Sequence, residues 1–155
     1  MPSYTSEPLE HRLQAAALAW LDSLSATFEL RAQDEDTEIT AKTETPKRLR
    51  LIVEAIDEGR HIQGAPIRNM RLALTIRGNT HTDAGKVDPM KEAAALIEAL
   101  LDETNLLTAL DSAALGVRVM HAVRRPGSGT NTQGMIRRTR YEVECKAVRA
   151  ELTTA

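Results

Sequence analysis

Apolar residues recur along the first part of the chain with the period of one helix face. Leu9, Leu13, Ala16, Ala17, Trp20, Leu21 and Leu24 fall at i, i+4, i+7, i+8, i+11, i+12 and i+15. The spacing predicts a helix over about residues 7–26. Ser6 suits its N-cap, and Pro8 suits the first turn, where a missing N–H costs nothing. Residues 31–47 break the period: acids and threonines crowd together before Pro46. They predict a polar, acidic connection with a short edge strand around 38–41. Alternation then takes over. Leu49, Leu51, Val53 and Ala55 alternate with Arg48, Arg50 and Glu54, which predicts a strand over 48–57.

Gly59, Gly64 and Pro66 make 58–66 a loop of turn formers. A second strand follows over 68–77, with Met70, Leu72, Leu74 and Ile76 on one face. Residues 78–87 form a polar loop. Asp88-Pro89 then places an N-cap and an N1 proline before a helix whose buried stripe is Met90, Ala93, Ala94, Ile97, Leu100 and Leu101. A helical turn over 105–110 comes next, and Gly116 opens a third strand over 117–125. Val117, Val119, His121 and Val123 share one face of it, so His121 is expected to be partly buried and hydrogen-bonded. The glycine-rich stretch 126–135 reads as a hairpin loop. The fourth strand covers 136–148, with Thr139, Tyr141, Val143, Cys145 and Ala147 facing the core.

The predicted order is α-β-β-α-β-β. It describes one α+β domain over 1–155, with two layers: helices packed on one face of a four-stranded, mostly antiparallel sheet. The polar alternate positions give that sheet a second face open to solvent or to a partner.

Composition narrows the function classes. Tyr4, Trp20, Phe28 and Tyr141 are the only aromatics, too few for a platform that stacks single-stranded nucleic acid. The single cysteine, Cys145, excludes an internal disulfide. The polar start has no basic segment followed by an apolar one, and the longest apolar stretch, 15–21, is too short to span a bilayer. A soluble protein of a reducing compartment is expected, with no membrane partner.

Charge is distributed unevenly. Residues 1–46 hold nine acids and three bases (−6), residues 47–111 ten acids and nine bases (−1), and residues 112–155 three acids and eight bases (+5). Six arginines and no acid lie between Ser112 and Tyr141.

Motifs for chemistry are sparse. His11, His61, His81 and His121 lack metal-ligand spacing. Cys145 alternates with core residues and reads as a small hydrophobe rather than a nucleophile. Gly127-Ser128-Gly129 lacks the following Lys-Ser/Thr of a phosphate loop. No catalytic residue, metal site or cofactor is expected, and the chain reads as a non-enzyme.

Arginines are the unusual feature. Arg124 and Arg125 close the third strand, while Arg137, Arg138 and Arg140 open the fourth, so hairpin pairing is expected to gather them at the base of one loop. Two readings stay open beside that of a plain solvated surface. The group meets the acidic segment Asp34, Glu35, Asp36 and Glu38 of a neighbouring copy in a head-to-tail interface. Alternatively, Arg124, Arg125, Arg137 and Arg138 contact DNA phosphates without reading sequence.

Element order and residue texture resemble a known family. A helix precedes Thr45-Pro46 and RLRLIVEAIDE. NMRLALTIRGNT leads into a polar loop, DPMKEAAALIEALLDETNLLTALD forms a helix with a leucine-bearing tail, and GVRVMHAVRR with RTRYEVECKA closes as a hairpin. Over about 45–148 this resembles the tail terminator (tail completion) proteins of long-tailed bacteriophages. The resemblance implies a virion subunit of the tail and neck, assembled in the host cytoplasm as a ring of about six copies. Such a ring caps the tail-tube protein, joins it to the head–tail connector protein and lets duplex DNA pass through its lumen. Its implied cofactor set is empty. Alternatives are another neck, head-closure or tail-tube component of the same particle and, in a different class, a small monomeric enzyme or ligand-binding domain. A general DNA-binding module fits the acidic overall balance poorly.

Overall fold

The computed structural model describes residues 8–24, 28–32, 49–60, 66–79, 89–125, 129–133 and 136–150. Three helices, α1 (Leu9–Leu21), α2 (Pro89–Leu100) and α3 (Glu103–Leu110), pack against a mixed, mostly antiparallel sheet. Its strands are β1 (Phe28–Ala32), β2 (Leu49–Arg60), β3 (Arg68–Asn79), β4 (Val117–Arg124), β5 (Gly129–Gln133) and β6 (Ile136–Arg149). Five of them run in the order β1-β2-β3-β6-β4, and β5 pairs with β6 off that path. The expected α+β class holds.

The expected four strands and α-β-β-α-β-β order are corrected. The observed order is α-β-β-β-α-α-β-β-β. The added β1 is short and carries Glu29 and Arg31, so its alternation is weak as a signal. It pairs parallel with β2, from Phe28 opposite Leu49 to Ala32 opposite Val53. Part of the expected hairpin loop is also a strand: β5 pairs antiparallel with β6, from Gly129 opposite Arg140 to Gln133 opposite Ile136. The turn-forming residues of GTNTQ hide this strand, because the pairing comes from the partner rather than from local propensity.

Alternation places the core. Leu51 and Val53 of β2, Met70, Leu72, Leu74 and Ile76 of β3, and Tyr141, Val143, Cys145 and Ala147 of β6 are buried in one cluster. Leu9, Leu13, Ala16, Ala17 and Leu21 of α1, Ala93 and Ile97 of α2, and Leu106 and Leu110 of α3 belong to the same cluster. Tyr141 joins the layers at its polar tip, where Oη donates to the Ala94 carbonyl at 3.4 Å.

Element ends differ from expectation for local reasons. α1 begins after Pro8, whose carbonyl accepts from His11 N at 3.1 Å and Arg12 N at 3.3 Å, so Pro8 is the N-cap rather than a first-turn residue. The expected Ser6 and Asp88 caps and the 38–41 strand lie outside the described residues. β2 continues past 57 through a bulge between Asp57 and Gly59. Gly59 has φ +112°, which a residue with a Cβ rarely adopts, and its N–H donates to Asp57 Oδ1 at 2.9 Å.

One core placement is corrected. A register shift between Val119 and His121 turns Met120 and His121 outward and brings Ala122 into the core. His121 is therefore exposed. Unbroken alternation carries no sign of the bulge.

β4 is an outer strand, and its outer edge is partly closed. Ser112 and Val117 exchange backbone hydrogen bonds at 3.0 Å each, and Asp111 Oδ1 accepts from Val119 N at 3.0 Å. Asp111 is also held by Arg118, at 2.7 and 3.2 Å.

Candidate functional site: the charged face of the sheet

Side chains that alternate with the core residues form a second sheet face, and here the arginines of distant strands meet. Strand pairing sets Glu29, Arg50, Arg77 and Arg138 side by side across β1, β2, β3 and β6. The next row is Arg31, Ile52, Thr75 and Arg140. Two residues further lie Glu54, Ala73 and Glu142, followed by Ile56, Arg71 and Glu144. Like charges directly opposite one another across strands destabilise a sheet. Arg50, Arg77 and Arg138 stand like charge beside like charge, with Glu29 at the end of the row 3.5 Å from Arg50 Nη2.

Towards the other end the charges balance. Glu142 accepts from Arg125 Nη1 at 3.1 Å and Arg140 Nε at 3.2 Å, and lies 3.5 Å from Arg71 Nη1. Glu144 accepts from Arg125 Nε at 2.6 Å. Burial pushes the Glu142 carboxyl up, but Arg140, Arg71 and Arg125 outweigh it and hold the group below the usual carboxylate range. Glu29 is lowered by its hydrogen bond from Arg31 and by Arg50, against a smaller burial effect. Asp111 follows the pattern of Glu142: burial raises it, and the bonds from Arg118 and Val119 N–H bring it below its ordinary value.

Beside these pairs lies a groove of about 400 Å³, lined by Glu58, Asn69, His121, Arg125, Glu144 and Lys146. Cys145 also borders it, but burial and the nearby Glu144 push its thiol up to about 12. At neutral pH it stays protonated, which removes the thiolate that a nucleophile needs. Among the described residues no group of three His, Cys, Asp or Glu side chains is placed to hold a metal ion, and no helix is long and apolar enough to cross a membrane.

The expected arginine group is divided among different surroundings. Arg124 lies on the helix-covered side, 5.3 Å from the Tyr141 ring centroid, with Nη2 3.6 Å from Glu98. Arg125 lies on the charged face with Glu142 and Glu144. Arg138 and Arg140 share that face but sit further along β6, and Arg137 pairs through its backbone with Gly78 and Thr132. The cause is β5. It takes the first half of β6 as its partner, while β4 pairs only with the second half, so Arg124 sits opposite Val143. From there to Arg138 is about 16 Å along the strand. The acids Asp34, Glu35, Asp36 and Glu38 lie outside the described residues.

Reading the sequence alone misses Arg50, Arg71 and Arg77, which join the later arginines only once strand register is known. It also misses Arg12, which is 1% exposed on the buried side of α1 and donates through Nη1 to the Gly116 carbonyl at 3.0 Å. No protein-family model matches the chain, and no curated protein matches it significantly in sequence.

Proposed function

We propose that this chain is a structural, non-catalytic subunit of a long-tailed bacteriophage particle, a tail terminator. Its copies join into a ring that caps the tail tube and meets the head connector. The observation that carries the reading is the broad charged face of the sheet, where Arg71, Arg125 and Arg140 converge on Glu142 beside a row of arginines. Such a face is suited to docking against another protein surface, since charge complementarity sets register and partner choice. The resemblance in element order and texture over about 45–148 supplies the particle, the ring and the duplex DNA that passes through it.

Mass in solution over a concentration series, with images of the same sample with and without tail tubes, tests this. The expected result is a discrete ring of about six copies, free or on the end of a tube. Long stacks would identify a tube subunit instead, and a monomer that ignores tube ends would overturn the proposal. The groove beside Lys146 and His121 favours one second reading, a small ligand-binding domain. A monomer that gains stability with a small molecule, and loses that gain when Lys146 is replaced, would support it.

A further inference from the structure

We infer that the groove on the charged face binds a small hydroxylated anion, a phosphate monoester or a hydroxy acid, with Lys146 as its charge partner. Strand register builds the site. Gly59 of β2, Asn69 of β3, Lys146 of β6 and His121 of β4 stand in one row across the sheet. Neighbouring strands lie about 4.8 Å apart, so Asn69, Lys146 and His121 together span about 10 Å. That is the width of one compact ligand.

The two ends of the row are where the sheet departs from regular pairing. Among the described strand pairs, register shifts fall between Asp57 and Gly59 on β2 and between Val119 and His121 on β4. Bulges of this kind re-aim side chains and gather beside binding sites. One of them turns His121 out of the core and into the groove. The other sets Gly59 at the opposite end. There, among the described residues, no atom beyond its chain neighbours comes within 4 Å of the place a Cβ would take.

Charge pairing leaves Lys146 over. Glu144 accepts from Arg125 Nε at 2.6 Å, and Glu58 lies 3.8 Å from Arg71 Nη2. Among the described residues, Lys146, His121 and Asn69 have no ion pair or side-chain hydrogen bond. Lys146 is half-buried. An ammonium partly withdrawn from water gains most from an anion, through a charge-assisted hydrogen bond. The Asn69 amide and the His121 imidazole add neutral donors beside it.

The carboxylates define the rest of the ligand. Glu58 and Glu144 keep acceptor positions beyond the arginines they face, so they welcome hydroxyl groups and repel a second anionic group. A single anionic group on a hydroxylated body fits, whereas a polyphosphate or a nucleic-acid backbone does not. The volume of about 400 Å³ lies low in the range of small-molecule sites. The inference rests on the groove of the ligand-binding reading, but not on the chain being a monomer. Mass in solution answers that question separately.

Thermal unfolding of the full chain tests it, with glycerol phosphate or glycerate added at fixed ionic strength and sodium chloride as the reference. The expected result is a saturable rise in the midpoint above that in chloride for at least one probe. The probe that acts at the lower concentration identifies the anionic group. Lys146→Gln should weaken the apparent affinity about tenfold or more, and His121→Gln about threefold. Lys91→Gln, at an exposed site on α2, should leave it unchanged. His121→Gln, also at an exposed position, keeps the test measurable if Lys146→Gln does not fold. A rise no larger than that in chloride would overturn the inference. So would an affinity unaltered by both groove substitutions, or a duplex oligonucleotide that stabilises the chain more than either probe.

Discussion

One residue along each strand separates two chemically opposite surfaces. On the helix-covered side, Val53, Leu74 and Tyr141 stand side by side. On the other, Arg50, Arg77 and Arg138 do. The first row is held by apolar burial, which needs no partner beyond the molecule's own helices and depends little on salt. The second sets like charges side by side, and ion pairs such as Arg50–Glu29 at 3.5 Å offset their repulsion in a salt-dependent way. The two faces therefore differ in what they specify. Rows such as Leu51–Ile76 and Leu72–Val143 fix the fold, while the arginine row sets the charge of the opposite face.

The sharpest contrast should come from adjacent residues of β3. Leu72→Ala is expected to cost about 3 kcal/mol in urea unfolding, because it empties a fully buried site. Arg71→Ala, facing the other way with a partly exposed side chain 3.5–3.8 Å from Glu142 and Glu58, should cost less than about 1 kcal/mol. Equal losses would erase the distinction between the faces.

Arg12 blurs it, being a cation on the apolar side. Arg12→Met keeps most of the volume and removes one of the two donors to the Gly116 carbonyl, which still accepts from Ala150 N at 3.1 Å, so a loss of about 1 kcal/mol is expected in the same measurement. A neutral outcome would mean that the guanidinium contributes only packing.

Asp111 separates edge from face. Asp111→Ala frees the Val119 N–H and the Arg118 side chain, and should lower stability by about 1 kcal/mol. Because it reopens an outer strand, it should also increase self-association, visible as a rise in mass with concentration.

Acid should weaken the charged side before the apolar one. Glu29, Asp111 and Glu142 are held below their ordinary values of 4.5, 3.8 and 4.5. Their contributions are fully present above those values and are lost as pH falls through the lower, folded ones. Thermal unfolding from pH 6 down to about pH 3 should show this as a declining midpoint. Glu142→Gln, which removes the charge shared by Arg71, Arg125 and Arg140, should make the decline shallower.

Legibility in the sequence followed the same division. Period-two alternation marks the apolar rows directly, and Met70, Leu72, Leu74 and Ile76 are buried as their spacing predicts. It fails at His121, where the bulge shifts register without any change in residue type. The charged face is legible only in part, because its geometry depends on which strand lies beside which. Arg50, Arg77 and Arg138 are 27 and 61 residues apart along the chain, yet register places them in one row. Hairpin logic joined Arg124 to Arg138, and the pairing of GTNTQ with β6 undoes that link.

The strand order carries a consequence for how the molecule is made. β6 lies between β3 and β4, yet it follows both in the chain. Until it emerges during synthesis, each of those two strands lacks the neighbour that joins it to the other. Both carry residues of the apolar core, Met70, Leu72, Leu74 and Ile76 on β3 and Val117, Val119 and Ala122 on β4. A nascent chain that stalls between Arg124 and Ile136 would present two adhesive borders at once. The chain is therefore expected to be most prone to aggregate in the interval just before β6 arrives, and a sequence that shortens that interval should raise its yield in cells.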